Sequence, residues 1–286
     1  MLKRAIIGIV VLGTTFQASA MSGKLLLTGG VSQLEGSGGG GLTPWAFIGS
    51  YATRDEYGAN FHATEVRTQD YTVKAQGLTV GIKNLVELSY SQQVFYTQEV
   101  SSANLGKNDQ FGIQQDTIGL KFKVYGDGVL DQQTWIPQIS VGVQRKENHE
   151  EDLVEALGAE DHIGVDYYVS FSKIILNQSF LYNLTLRSTK ANQTGFLGFG
   201  GGENDEREIM TEMSFGYLLR HNLVLGMEYR NKPNNLTNFE EEDWKDIYLA
   251  WAPTKNISLT TAYVDLGNIA VKDNQSGIYT SLQVGF

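Results

Sequence analysis

The sequence predicts an all-β fold, an antiparallel up-and-down transmembrane β-barrel of about 14 strands, and three observations predict it. From Lys24 onward apolar residues recur with a period of two, the signature of extended segments with one greasy face. The connectors between those segments alternate between long and short. After residue 20 no apolar run approaches the ~20 residues that a spanning helix needs, so membrane passage falls to strands.

Taken in chain order, residues 1–20 read as a secretory signal peptide. Lys3 and Arg4 form a positive start, Ala5 to Leu12 a short apolar core, and Ala18-Ser19-Ala20 a small-residue cleavage motif. Residues 21–286 then form one barrel domain. Segment 24–33 is the first candidate strand; read as an inner plug strand instead, it lowers the count to about 12. Alternation follows in Val86/Leu88/Tyr90, Ile118/Leu120/Phe122 and Ile139/Val141/Val143, then through 163–174, 179–190, Met213/Phe215/Tyr217, 222–232, 256–266 and 277–286. The long connectors are 98–110, 148–162, 191–206, 233–242 and 267–275; the short ones include 83–84, 175–178, 220–221 and 253–255. Two depart from the series, because 125–134 is long for its class and 68–70 short. In the 148–162 connector, 150–158 fits one or two helical turns with Leu153, Val154 and Leu157 packing down.

Alternation alone does not say which face points inward. Barrel size does: interior side chains fill a barrel of about 8 strands, whereas larger ones leave a bore that an apolar lining would have to keep dry. The Ser, Thr, Gln, Gly and charged face therefore turns inward and the apolar face meets hydrocarbon. Closure also pairs every edge N–H and C=O, which lipid cannot do. Leu282, Val284 and Phe286 place an aromatic last residue on the apolar face, like the terminal-strand signal by which the barrel-assembly machinery recognises its substrates.

Composition excludes several functions. The chain has no Cys, so thiol nucleophiles, disulfides and Cys-ligated metals are ruled out. A formal charge of −10, or −12 once Lys3 and Arg4 are removed, argues against a nucleic-acid partner. His62, His149, His162 and His221 lack metal-ligand spacing, so no metal or cofactor is expected. The glycine-rich stretches 36–41 and 198–202 lack the Lys-Ser/Thr of a phosphate loop and read as turns or as segments folded into the barrel mouth.

The inward face carries Lys121, Lys123, Arg187 and Arg230 with Glu87, Asp166, Glu212, Glu228 and Asp246. Such groups either set pore selectivity or pair across strands; near balance of sign favours pairing. Phe196, Leu197 and Phe199 stand among glycines in a long connector and are the candidates for an inward-folded constriction, since exposed they would cost solubility. Acidic runs at 147–155, 203–208 and 240–243 read as solvated outer surface, with divalent-cation capture as the rival. Trp45, Trp135, Trp244 and Trp251 fall near strand ends and suit aromatic girdles. His62, on the polar face, raises the alternative of a membrane-embedded hydrolase.

Five blocks carry a family resemblance: GKLLLTGGVSQLEGSGGGGLTPW at 23–45, STKANQTGFLGFGG at 188–201, EYRNKPNNL at 228–236, WAPTKNISLTTAYVDLGNI at 251–269, and the closing DNQSGIYTSLQVGF. Together they resemble the proteobacterial family known as domain of unknown function 3034, over essentially the whole mature chain. The resemblance implies a Gram-negative source and an envelope location, and brings no activity or site residue with it. The expected function is that of a non-enzymatic, porin-like outer-membrane path for a small solute, with outer-membrane lipid and lipopolysaccharide as its surroundings. The alternatives are a plugged structural or interaction barrel presenting acidic loops, and the lipid hydrolase.

Overall fold

The computed structural model describes residues 24–29, 31–97 and 111–286; the expected leader (1–20) and the 98–110 connector lie outside them. Twelve antiparallel strands close into one barrel, each paired with its sequence neighbour and β1 with β12. They are β1 (Tyr57–Thr68), β2 (Thr72–Ile82), β3 (Val86–Tyr96), β4 (Gly112–Tyr125), β5 (Gln138–Asn148), β6 (Ile163–Ile175), β7 (Phe180–Thr189), β8 (Glu208–Arg220), β9 (Leu223–Arg230), β10 (Trp244–Trp251), β11 (Ile257–Asp265) and β12 (Ser276–Gly285). At closure Phe61 faces Val284 and Ala63 faces Leu282, which completes the ladder that an open edge would leave unpaired.

The wall follows the expected period of two. Along β10 burial alternates residue by residue from buried Trp244 to exposed Trp251. The outward side chains are Leu88, Ile118, Phe215, Met227, Ile247, Tyr263 and Leu282, large apolar groups that a water-soluble surface would not display in bulk. Outward charges, among them Arg67, Lys74, Arg145, Lys245 and Asp265, gather near the long-loop ends of their strands. An apolar band with a polar collar on one side is the profile of a barrel spanning lipid. Among the described residues no helix is long and apolar enough to cross a membrane.

The connectors sort by end as expected. Connectors 83–85, 126–137, 176–179, 221–222 and 252–256 share one mouth; 69–71, 149–162, 190–207, 231–243 and 266–275 share the other. The short helix α1 (Glu151–Ala156) forms within 149–162, with Val154 buried against Ala159, Leu197 and Leu236.

The expectation of 14 strands is corrected to 12, and segment 24–33 is not in the wall. The physical reason is visible in burial: from 31 to 52 every residue is buried, so the segment has no outward face to offer lipid. It folds as an irregular hairpin inside the barrel, held by isolated bridges between Ser32 and Gly38 and between Gly39 and Pro44. Two of the girdle tryptophans are corrected with it. Trp45 belongs to this inserted segment and Trp244 points inward, both buried, whereas Trp135 and Trp251 are exposed at the short-turn end.

Candidate functional site: the occupied lumen

Irregular backbone at membrane depth must find partners for its N–H and C=O groups, because no water is there to supply them. The inner wall supplies them. Ser172 Oγ accepts from Ala46 N–H at 2.7 Å, and Gln138 Nε2 and Ser140 Oγ donate to Ala46 O at 2.6 and 2.5 Å. Thr185 Oγ1 donates to Pro44 O at 2.8 Å, Thr79 Oγ1 to Gly36 O at 2.6 Å and Ser91 Oγ to Leu34 O at 3.0 Å. Gln283 takes both roles, accepting from Ser32 N–H at 2.7 Å and donating to Ser32 O at 3.1 Å. The small polar residues of the inner face thus solvate a polypeptide.

Charged wall residues grip the insert at three places. Around Glu35, which is fully buried, stand Lys146 of β5, Arg187 of β7 and Arg230 of β9. Arg230 Nη1 lies 2.9 Å from Glu35 Oε2 and Arg187 Nη2 3.7 Å from it; Lys146 Nζ contacts Glu35 Oε1. Asp166 (2.7 Å from Lys146, 3.3 Å from Arg187) and Glu212 (against Arg187, 3.6 Å from Arg230) complete a network of three acids and three bases. Burial alone would raise the Glu35 carboxyl, but Arg230, Lys146 and Arg187 together outweigh it and hold it far below the usual carboxylate range.

The second grip is the 2.8 Å ion pair of Glu87 and Lys121, directly opposite on β3 and β4. Glu87 accepts from Ser37 Oγ (2.9 Å), Gly38 N (3.0 Å) and Gly49 N (2.6 Å), while Lys121 donates to Gly38 O (2.9 Å) and Trp45 O (3.0 Å). The third is Glu228, accepting from Leu42 N and Thr43 Oγ1, each at 2.7 Å. A Cβ on Gly40 would lie 2.0 Å from Glu228 Oε1, so a larger residue there would have to push this carboxylate away from its hold on Leu42 and Thr43. Asp246 faces Glu228 across β9 and β10 and accepts from its backbone N–H at 3.0 Å. Neither carboxylate has an ion-pair partner among the described residues, and Asp246 Oδ2 has no hydrogen-bond partner.

The lumen residues read from the sequence therefore all turn inward, and pairing is their dominant arrangement. Lys123 stands apart at the short-turn mouth, 4.0 Å from Asp127. Sequence reasoning missed Glu35 and Lys146. Lys146 was within reach, since the inward parity of Gln138, Ser140 and Gly142, opposite the outward Ile139, Val141 and Val143, extends through Gln144, Lys146 and Asn148. Glu35 sits in an unpatterned glycine-rich run and sends no local signal.

The long-loop mouth is closed by connector 190–207. Phe196, Leu197 and Phe199 are each buried; Phe196 stacks on Phe95 at 5.4 Å, and Phe95 in turn meets Tyr71 at 4.9 Å. Gln115 Nε2 and Lys146 Nζ donate to Thr194 O, and Asn148 Nδ2 donates to Gly195 O and Phe196 O. Connector 231–243 secures it: Gln193 N donates to Glu241 at 2.9 Å and Lys232 Nζ to Gln193 Oε1 at 2.8 Å. Burial pushes Lys232 down to about 8 and Glu241 up, each partly offset by the other. His62 is buried on the inner face with neither ring nitrogen hydrogen-bonded, so no serine–histidine pair forms there.

Leu282 and Phe286 are outward and exposed, with Val284 half-buried between them. Among the described residues no group of three metal-ligating side chains assembles, in the acidic connectors or elsewhere.

Solved structures share this architecture. A KdgM porin in complex with disordered oligogalacturonate is similar at 10% identity and TM-score 0.51, over 79% of this chain and 99% of that one. The NanC porin is similar at 11% identity and TM-score 0.49, over 80% and 98%. The COG4313 outer membrane channel from Pseudomonas putida F1 is similar at 9% identity and TM-score 0.46, over 85% and 96%. At such identities the likeness is one of fold, that of outer-membrane β-barrels. A search of curated proteins finds no match. The model of the family described as protein of unknown function (DUF3034) matches residues 28–283, and the chain belongs to that family.

Proposed function

We propose that the protein is an outer-membrane channel for a small solute, held closed by its own segment 24–52, with the short turns on the periplasmic side. The observation that carries this reading is the inner wall itself. A 12-strand bore lined by Ser, Thr, Gln and balanced charges would be hydrated if empty, and here a chain segment that is not part of the wall fills it. Removing that segment would leave Lys121, Lys123, Lys146, Arg187 and Arg230 facing Glu87, Asp166, Glu212, Glu228 and Asp246. Such a bore would select weakly between cations and anions and would sort solutes chiefly by size. The role assigned is passive passage without catalysis. The likeness to porins supports the reading at the level of fold.

A second reading, a permanently plugged structural barrel, is favoured by the complete burial of the Glu35 network, since dismantling buried ion pairs is costly. Planar-bilayer recording separates the two. The full chain is expected to conduct rarely, and the Gly40→Leu variant or a barrel lacking 24–52 to show steady steps. A folded, heat-modifiable barrel without the segment that still passes no current overturns the channel reading.

A further inference from the structure

The inner wall is not polar throughout. At the short-turn end of β6–β10 it presents Ile174, Leu181, Leu218, Val224 and Ala250, all inward and at least half-buried. The inserted segment meets this patch with Leu27 and Val31 but does not fill it: a cavity of about 130 Å³ remains, open toward the short-turn mouth where Leu25 is partly exposed. An engineered cavity of about 150 Å³ in another protein is roomy enough for benzene, so the space is that of one six-membered ring.

Two of its lining residues carry a polar atom that has no partner. Trp45 Nε1 and Thr260 Oγ1 are buried without any hydrogen-bond partner, and both residues line the cavity, each 5% exposed. A buried donor left unmade carries its desolvation cost uncompensated, which a ligand oxygen would offset. No Asp, Glu, Lys or Arg lines the space among the described residues and His221, on the short turn at its rim, is its basic group, so a cation would enter unpaired and a neutral ligand suits the lining. We infer that this cavity is a binding site for a small neutral amphiphile, a single-ring body carrying one hydroxyl or carbonyl oxygen that accepts from the Trp45 indole N–H and meets the Thr260 hydroxyl. The site stands whether or not the bore conducts.

The test uses fluorine NMR on the full chain in lipid nanodiscs, with 4-fluorophenol as probe and fluorobenzene as the apolar control. Saturable binding of 4-fluorophenol beyond that of empty nanodiscs is expected. Trp45→Phe, which keeps an aromatic side chain but removes the donor, should weaken 4-fluorophenol about tenfold relative to fluorobenzene. Ala250→Phe, or Val224→Phe if that variant folds poorly, should abolish both by filling the space. Three results overturn the inference: no saturable binding, unchanged binding in a folded cavity-filled variant, or a retained lipid acyl chain that excludes the probe.

Discussion

Arg230 of β9 places Nη1 2.9 Å from Oε2 of Glu35 in the inserted segment, joining residues 195 positions apart by one buried ion pair. The same carboxylate also faces Lys146 and Arg187, so it is the group on which the insert's outermost bend is centred.

Glu35→Ala should therefore leave one buried positive charge uncompensated among Lys146, Arg187, Arg230, Asp166 and Glu212. Removing one partner of a buried pair costs about 3–5 kcal/mol. Urea unfolding followed by tryptophan emission should show that loss, and Glu35→Ala combined with Arg230→Met should recover part of it. No loss in the single variant would mean that water already reaches the network.

The seating of the insert should weaken in acid. The Glu35 carboxyl lies below its ordinary 4.5 when folded, so its contribution is complete above pH 4.5 and is lost as pH falls below that value toward the folded one. Tryptophan emission, reporting Trp45 among others, should shift on acidification below 4.5, and Glu35→Gln should flatten that limb.

The chain has no cysteine, so a single introduced thiol reports one position cleanly. Thr194→Cys should be shielded from a membrane-impermeant maleimide, because Thr194 is buried within the folded-in connector 190–207. Adding Phe196→Ala removes the stack on Phe95 and should expose the thiol, with labelling faster by at least tenfold. Equal labelling in both would show that the polar contacts from Gln115, Lys146 and Asn148 hold the loop unaided.

The outward face should reject charge. Leu88→Arg places a cation among exposed apolar residues of the band, at a cost of about 2–4 kcal/mol near the bilayer midplane. The yield of heat-modifiable barrel on folding into vesicles measures it. Loss should be much smaller for Arg67→Leu, in the polar collar.

The wall was legible because a strand's period is local: Leu225, Met227 and Tyr229 declare an outward face without knowledge of any partner. The inserted segment was not, since its order comes from side chains such as Gln138, Ser172 and Gln283, remote in sequence and indistinguishable there from pore-lining polar residues. Leu25-Leu26-Leu27 read as strand although three adjacent leucines fit no lipid-facing alternation; their company, the apolar inner patch around Leu181 and Val224, is itself assembled only by closure. Pairing among the inward charges was expected in general, and Arg187 with Glu212 on neighbouring strands is one instance, whereas the third-body role of Glu35 needed the hairpin to be inside.

Lys24 Nζ donates to Ile48 O and Ser50 O, at 2.8 and 2.9 Å, so the hairpin's two legs meet at a single mouth of the barrel. Nothing has to be threaded past the opposite rim to clear the passage. A pull on the leading leg, with the trailing leg acting as a leash through residues 53–56 to β1, would draw the whole insert out like a cork on a string and let it reseat by the route it left.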